Sequence, residues 1–200
     1  MRLKYTYWYF TKALSPHQCE EIINIASKQP YRPGAIEGSV VAGKTEVNPI
    51  YRQVSITTLS DPKIYNLLNP FIHRANKNAG WDFQWDWNEA SQFTIYNKGD
   101  HYQWHNDQIE PIKDPRKTLH NKIRKLSLSL QLSDSSQYEG GDFQFRWLLD
   151  KLAKVKTVTV KKKERGSIII FPSFVFHRIT PIKKGTRLAL VNWSLGERFK

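Results

Sequence analysis

Tyr96-Asn97-Lys98-Gly99-Asp100-His101-Tyr102-Gln103-Trp104-His105-Asn106-Asp107 is the stretch around which the rest of the chain is organised. Its end decides most. In an extended segment, positions two apart share a face. His105 and Asp107 therefore aim an imidazole and a carboxylate at one point. A third candidate ligand stands far downstream, at the end of Phe174-Val175-Phe176-His177, and Arg187 follows ten residues later. Two His and one carboxylate, leaving coordination positions open, suit a non-haem ferrous ion. The triplet alone decides little. The chain has six His, and a lone His after an apolar strand is as readily a hydrogen-bonded structural residue.

Arg187 opens the last expected strand, residues 187–194, where it shares a face with Ala189, Val191 and Trp193. If that face points inward, a buried guanidinium needs an anionic partner, and Arg is suited to gripping a carboxylate through two parallel hydrogen bonds. The opposite orientation puts Arg187 in solvent and Leu188 and Leu190 inside. Alternation leaves both open. Residues 125–133 alternate cleanly, with Ser127, Ser129 and Gln131 on one face and Leu128, Leu130 and Leu132 on the other. If the leucines pack on the core, the polar face looks at water or a wet pocket.

Further strands are expected over residues 5–10, 51–59, 81–87, 91–96, 143–147, 155–160 and 167–171. Two helices precede most of them. Ser15-Pro16 caps the first, with Cys19, Ile22, Ile23 and Ala26 on one face, and it fades before Pro30. Asp61-Pro62 opens the second, whose stripe is Ile64, Leu67, Leu68, Phe71, Ile72 and Ala75, ending near Gly80. Residues 31–50 read as a loop or loose hairpin, possible flap material, and residues 108–124 as a surface loop. These two loops are the candidates for substrate recognition.

Two hundred residues fit one domain, with helical support over about 1–80 and a β core over about 81–196. Lys and Arg number 31 against 18 Asp and Glu, a formal net charge of +13. This favours acidic partners, whether nucleic acid, acidic protein segments or small anions, or else simply a basic solvated surface. The single Cys excludes an intramolecular disulfide and suits a reducing compartment. No apolar run near Met1 is long enough for a signal peptide or membrane span, so a cytoplasmic location without membrane partners is expected.

With these residues in place, the chain resembles the 2-oxoglutarate- and Fe(II)-dependent dioxygenases, in particular the prolyl 4-hydroxylase-like, PKHD-type branch. The resemblance rests on Tyr96, Gly99, Tyr102, His105 and Asp107 in Tyr-x-x-Gly-x-x-Tyr-x-x-His-x-Asp order, on Leu132-Ser133-Asp134 followed by Glu139-Gly140-Gly141, on Gly166-Ser167 leading to His177, and on Arg187 and Trp193 beyond it. It covers residues 90 to 195, with a weaker match before them. It implies a mainly β, α+β architecture: a double-stranded β-helix (jelly roll) with helices on one face of the major sheet.

It also implies roles. His105, Asp107 and His177 would bind Fe(II). Arg187 would pair with the distal carboxylate of the cosubstrate 2-oxoglutarate, Tyr96 would hydrogen-bond it, and Trp193 would wall the pocket. Gln131 stands near where some relatives supply a tyrosine. Tyr102 and Trp104 would touch substrate. O2 would be consumed, with ascorbate as a reductant, giving succinate, CO2 and a hydroxylated carbon, foremost in a prolyl residue of a protein or peptide. Halogenases of this kind have a small residue in place of Asp107, so hydroxylation is expected. Nucleic acid or a small molecule as substrate, or a non-enzymatic jelly-roll binding module, are the alternatives. The chain is expected to lack the C-terminal extension of PKHD-type proteins.

Overall fold

The computed structural model describes residues 3–35, 40–41, 44–45, 47–109, 111, 120–149, 154–161 and 163–199. Helix α1 spans Pro16–Ser27. The Ser15 hydroxyl accepts from the Gln18 N–H at 3.2 Å, and the Gln18 side chain accepts from the Ser15 N–H at 2.9 Å, a reciprocal cap that satisfies two otherwise orphaned donors. Helix α2 spans Pro62–Asn78, capped by the Asp61 carboxylate on the Lys63 N–H at 2.8 Å. Both stripes are buried as their spacing requires: Cys19, Ile22 and Ala26 in α1, and Ile64, Leu68, Ile72 and Ala75 in α2. Ile23, Leu67 and Phe71 pack at the margin. Gly80, at φ +64, takes the left-handed position that ends α2.

Two antiparallel sheets form the body. The larger runs in the order Trp8–Phe10, Ile168–Pro172, Ile123–Gln131, Arg187–Gly196, Ser91–Tyr96, Ser55–Leu59, Arg32–Pro33, with Trp87–Asn88 also paired to Arg187–Gly196. The smaller runs Lys154–Thr159, Phe143–Leu149, Phe176–Ile179, His101–His105, Arg52–Gln53. The helices cover one face of the larger sheet, where Leu126, Leu128, Leu130, Ile168, Ile170 and Leu190 meet them. Its other face meets the smaller sheet through Ile56, Tyr96, Ile169 and Phe171 against Phe143, Phe145 and Ile179. The result is the expected jelly roll with helices on one face of the major sheet. A strand covered on both faces can be apolar throughout, which accounts for the unbroken run Ile168–Pro172.

The same two-sided cover resolves the two open alternations. Leu128 and Leu130 face the helices, and Ser127, Ser129 and Gln131 are buried towards the space between the sheets. Leu188 and Leu190 pack on the helical side, while Arg187, Ala189 and Trp193 are buried on the inner side. Both halves of each pattern are interior.

Several boundaries differ from expectation. Residues 51–59 do not form one strand. Arg52–Gln53 belongs to the smaller sheet and Ser55–Leu59 to the larger, with Val54 at the crossing. Residues 81–86 are not a strand either. Trp81 and Phe83 alternate into the core, but the Asn76 side chain takes up the Phe83 backbone, donating to its carbonyl at 2.9 Å and accepting from its N–H at 3.0 Å. Only Trp87–Asn88 pairs. The first strand is Trp8–Phe10 rather than residues 5–10.

The expected loop 108–124 ends earlier, since Ile123–Gln131 already includes Ile123 and Arg124; residues 110 and 112–119 of it lie outside the described residues. Within 31–50, Arg32–Pro33 joins the larger sheet and Val40–Val41 pairs with Lys44–Thr45 as a hairpin. The remaining residues 36–39, 42–43 and 46 there, and Lys162 of the lysine run, are outside the described set. Among the described residues no helix is long and apolar enough to cross a membrane.

Candidate metal centre

Strand pairing brings the three candidate ligands together. His105, the last residue of its strand, lies directly opposite His177, which is itself paired with Phe145 on its other side. Asp107 follows the strand, with its N–H held by the Ser173 carbonyl at 2.8 Å. One ligand atom from each of His105, Asp107 and His177 lies within 4.8 Å of the others. The His105 Nε2 is 3.7 Å from one Asp107 oxygen, and the His177 Nε2 is 3.6 Å from the other. Exposures are 8%, 8% and 5% for His105, Asp107 and His177.

The tautomers follow from the backbone. His105 Nδ1 lies 2.7 Å from the Gln103 carbonyl, and His177 Nδ1 lies 3.1 Å from the Val175 carbonyl. A carbonyl only accepts, so each Nδ1 carries a proton, and in the neutral ring it is the Nε2 lone pair that turns to the cluster. Burial, then the neighbouring His177, pushes His105 down to about 3, which keeps it neutral as a ligand must be. Burial pushes the Asp107 carboxyl up, but His177, His105 and Arg124 outweigh it and hold the group at about 2. Two imidazole lone pairs and one carboxylate converge in a buried space. This donor set fits a divalent transition metal such as Fe(II), with about half of an octahedron left open.

A cavity of about 40 Å³ joins these ligands to Tyr96, Ser129, Arg187 and Trp193. It shares His105, Asp107, Arg52, Tyr102 and Trp193 with a wider one of about 260 Å³, whose lining adds Tyr51, Gln108 and Phe176. Arg187 is 4% exposed, with its guanidinium carbon 5.4 Å from the centre of the Tyr96 ring, and no ion pair joins it to a carboxylate among the described residues. Burial raises the Tyr96 phenol's pKa, so it stays a neutral donor. Gln131 lies in a smaller adjoining cavity with Arg187, Tyr138, Gly141 and Lys163, donating to the Ser133 carbonyl at 3.0 Å and the Tyr138 hydroxyl at 3.1 Å.

Tyr102 reaches the cavity by an irregularity. Simple alternation puts Tyr102 and His105 on opposite faces. A register shift sets two strand intervals of Phe176–Ile179 against three of His101–His105, and both side chains turn inward, their rings stacked with centroids 3.4 Å apart. Trp104 is not among the residues lining these cavities. Its indole lies under the guanidinium groups of Arg146 and Arg178.

Three residues at the site were not singled out from the sequence. Arg52 lines both larger cavities, its guanidinium 4.5 Å over the Tyr102 ring, with bonds to the Ala35 carbonyl and the Gln92 side chain. It shares parity with Val54 and Ile56, so period two carried that signal. Arg124 pairs with Glu89 at 2.7 Å and lies 3.9 Å over the Trp193 ring. Its parity is that of the helix-facing Leu126, but a register shift between the two turns it towards the space between the sheets. Tyr138 meets Gln131 only through the fold.

The 2OG-Fe(II) oxygenase superfamily profile matches residues 91–195. The chain is 38% identical over 95 residues to a PKHD-type hydroxylase of Synechococcus sp. (strain CC9902), covering 48% of this chain and 36% of that protein. It is 27% identical over 175 residues to a PKHD-type hydroxylase of Nitrosomonas europaea, covering 85% and 71%. Against several such relatives the match spans only about two fifths of their length, as with the 41% of the Teredinibacter turnerae protein. Among solved structures, a Pseudomonas putida prolyl-4-hydroxylase superposes with a TM-score of 0.69 at 16% identity, covering 96% of this chain and 93% of that one. A Trichoplax adhaerens prolyl hydroxylase, in complex with a hypoxia inducible factor peptide fragment, gives 0.68 at 15%, covering 96% and 84%. These structures share the fold. Through the profile match across more than half its length, the chain belongs to the 2OG-Fe(II) oxygenase superfamily.

Proposed function

We propose that this protein is a 2-oxoglutarate- and Fe(II)-dependent oxygenase that hydroxylates a carbon of a protein or peptide, foremost a prolyl residue. The observation that carries the oxygenase reading is the buried His105–Asp107–His177 cluster sharing one cavity with Arg187, a buried cation without a carboxylate partner among the described residues. The prolyl substrate is supported by structural neighbours that are prolyl hydroxylases, one of them solved with a peptide fragment.

In this reading His105 and His177 ligate through Nε2, oriented by their Nδ1–H bonds to backbone carbonyls. Asp107 supplies the one negative charge. Arg187 holds the distal carboxylate of 2-oxoglutarate, and Tyr96 donates a hydrogen bond to it. Gln131, bridging to Tyr138, steadies the wall behind Arg187. Trp193, flanked by Arg124, closes the side of the cavity and keeps water out. When bound, ferrous iron and 2-oxoglutarate supply the oxidation itself, in which one atom of O2 enters succinate, the other the substrate carbon, and CO2 leaves. Tyr102, stacked on His105, stands where the target residue enters. Ascorbate enters as an external reductant, tested by counting turnovers with and without it.

The test is an anaerobic titration of Fe(II) in the presence of 2-oxoglutarate, following the visible metal-to-ligand charge-transfer band. The wild type develops the band, and Asp107→Ala abolishes it. Absence of the band in the wild type, with iron unbound, refutes the reading and leaves a binding module on the same fold.

A further inference from the structure

The outer face of the smaller sheet carries two arginines gathered over one indole beside the cavity mouth. Phe145, His177 and His105 point inward from adjacent strands. Their neighbours Arg146, Phe176, Arg178 and Trp104 project from the other side, with Arg146 paired to Phe176 and Gln144 to Arg178. The guanidinium carbons of Arg146 and Arg178 lie 4.7 and 4.6 Å from the centre of the Trp104 ring. That of Arg146 is also 5.7 Å from the Phe176 ring. Phe176 is 42% exposed and lines the wider cavity. The arginine surface is thus continuous with the entrance.

Neither arginine forms an ion pair with a carboxylate among the described residues. The Arg178 Nε–H donates to the Gln144 side-chain oxygen at 2.7 Å, which sets the orientation of its planar fork. Two like charges drawn to one ring repel each other. The indole offsets part of that, and a bound anion would remove the remainder. A planar guanidinium matches a carboxylate through two parallel hydrogen bonds. The chain's net charge of +13 adds a field of the same sign.

We propose that this face docks an acidic segment of the peptide substrate, with Asp or Glu carboxylates held by Arg146 and Arg178 beside the residue that enters the cavity. The inference rests on the reading that the cavity takes a peptide. It favours an acidic peptide over single-stranded nucleic acid because stacking of bases needs open aromatic faces. Here the guanidinium groups of Arg146 and Arg178 already lie over the Trp104 indole.

The experiment uses the full chain, loaded anaerobically with Fe(II) and 2-oxoglutarate. Three fluorescein-labelled probes are compared by anisotropy: a short peptide with one proline flanked by glutamates, the same peptide with glutamines, and a short single-stranded oligonucleotide. The glutamate peptide should bind roughly tenfold tighter than the glutamine peptide at low salt, with the preference shrinking as salt rises. Arg146→Gln/Arg178→Gln should lose that preference while keeping the charge-transfer band, and Arg146→Gln alone should lose part of it. An intact band with no glutamate preference, or a preference unchanged in the double variant, overturns the docking surface. Oligonucleotide binding tighter than the glutamate peptide, and abolished in the double variant, also overturns it and assigns the face to nucleic acid. A missing band in the wild type instead strikes the oxygenase reading beneath it.

Discussion

Replacing Arg187 with Met should separate ligand affinity from stability. Arg187 is 4% exposed, so a carboxylate reaching it is gripped out of water. Truncating one partner of such a buried, hydrogen-bonded charge pair costs about 2–5 kcal/mol. At 1.4 kcal/mol per factor of ten, 2-oxoglutarate affinity should fall by about 30-fold to a few thousand-fold. The ligand-free protein should respond differently. Among the described residues no ion pair is lost there, and Met keeps an unbranched stem against Tyr96 and the Gly141 turn. Removing a buried cation that has no carboxylate partner among the described residues recovers desolvation, so ligand-free stability should change little. The two readouts are the charge-transfer band against 2-oxoglutarate concentration and urea denaturation without ligands. A 2-oxoglutarate midpoint within about threefold of wild type would refute the assignment, taking a factor of three as under 1 kcal/mol. A loss of several kcal/mol in the ligand-free protein would show that Arg187 serves the fold.

Asp107→Ala leaves two imidazoles and no carboxylate, and should lower Fe(II) affinity by more than about 100-fold, at the strong end of what losing even an outer-shell partner does; competition with a metal chelator measures it. For His105, held at about 3 in the folded protein against its ordinary 6.5, the unfolded chain takes up a proton that the fold refuses. Metal-free stability should be full above about pH 6.5 and fall towards pH 3. Urea denaturation in chelator should show a shallower pH slope for His105→Gln. Gly140 has φ +80, and a Cβ there would meet the Pro181 carbonyl oxygen at 2.3 Å. Gly140→Ala should therefore destabilise by at least about 1–3 kcal/mol, read from the shift in denaturation midpoint. Asn76→Ala should cost about 1–3 kcal/mol, because the buried Phe83 backbone loses both partners; amide exchange at Phe83 should rise with it.

Much of the site was readable because it depends on side-chain type and spacing. His105 and Asp107 two apart, and Arg187 ten after His177, are properties of the chain. So are the two helices, whose caps at Ser15 and Asp61 and stripes at Cys19–Ala26 and Ile64–Ala75 are short-range patterns. Residues 81–87 misled because Trp81 and Phe83 do alternate into the core. Alternation records burial, and a strand also needs a neighbour with free backbone groups; here Asn76 takes that place. Residues 51–59 misled for the same reason, since one run of period two crosses from one sheet to the other at Val54 without breaking its rhythm.

The sequence by itself determined the candidate ligand types, the helices, the strand order of polarity and the resemblance to the oxygenases. Only the tertiary structure decided which way Arg187 points, because alternation sets relative phase and says nothing of which face is inside, and here both faces are covered. It also decided that Tyr102 shares a face with His105 and that Arg124 turns inward, since both follow from register shifts between partners distant in sequence. The placing of Trp104 beneath Arg146 and Arg178 belongs with these. Three adjacent strands bring those residues together, and no local pattern in any one of them encodes the meeting.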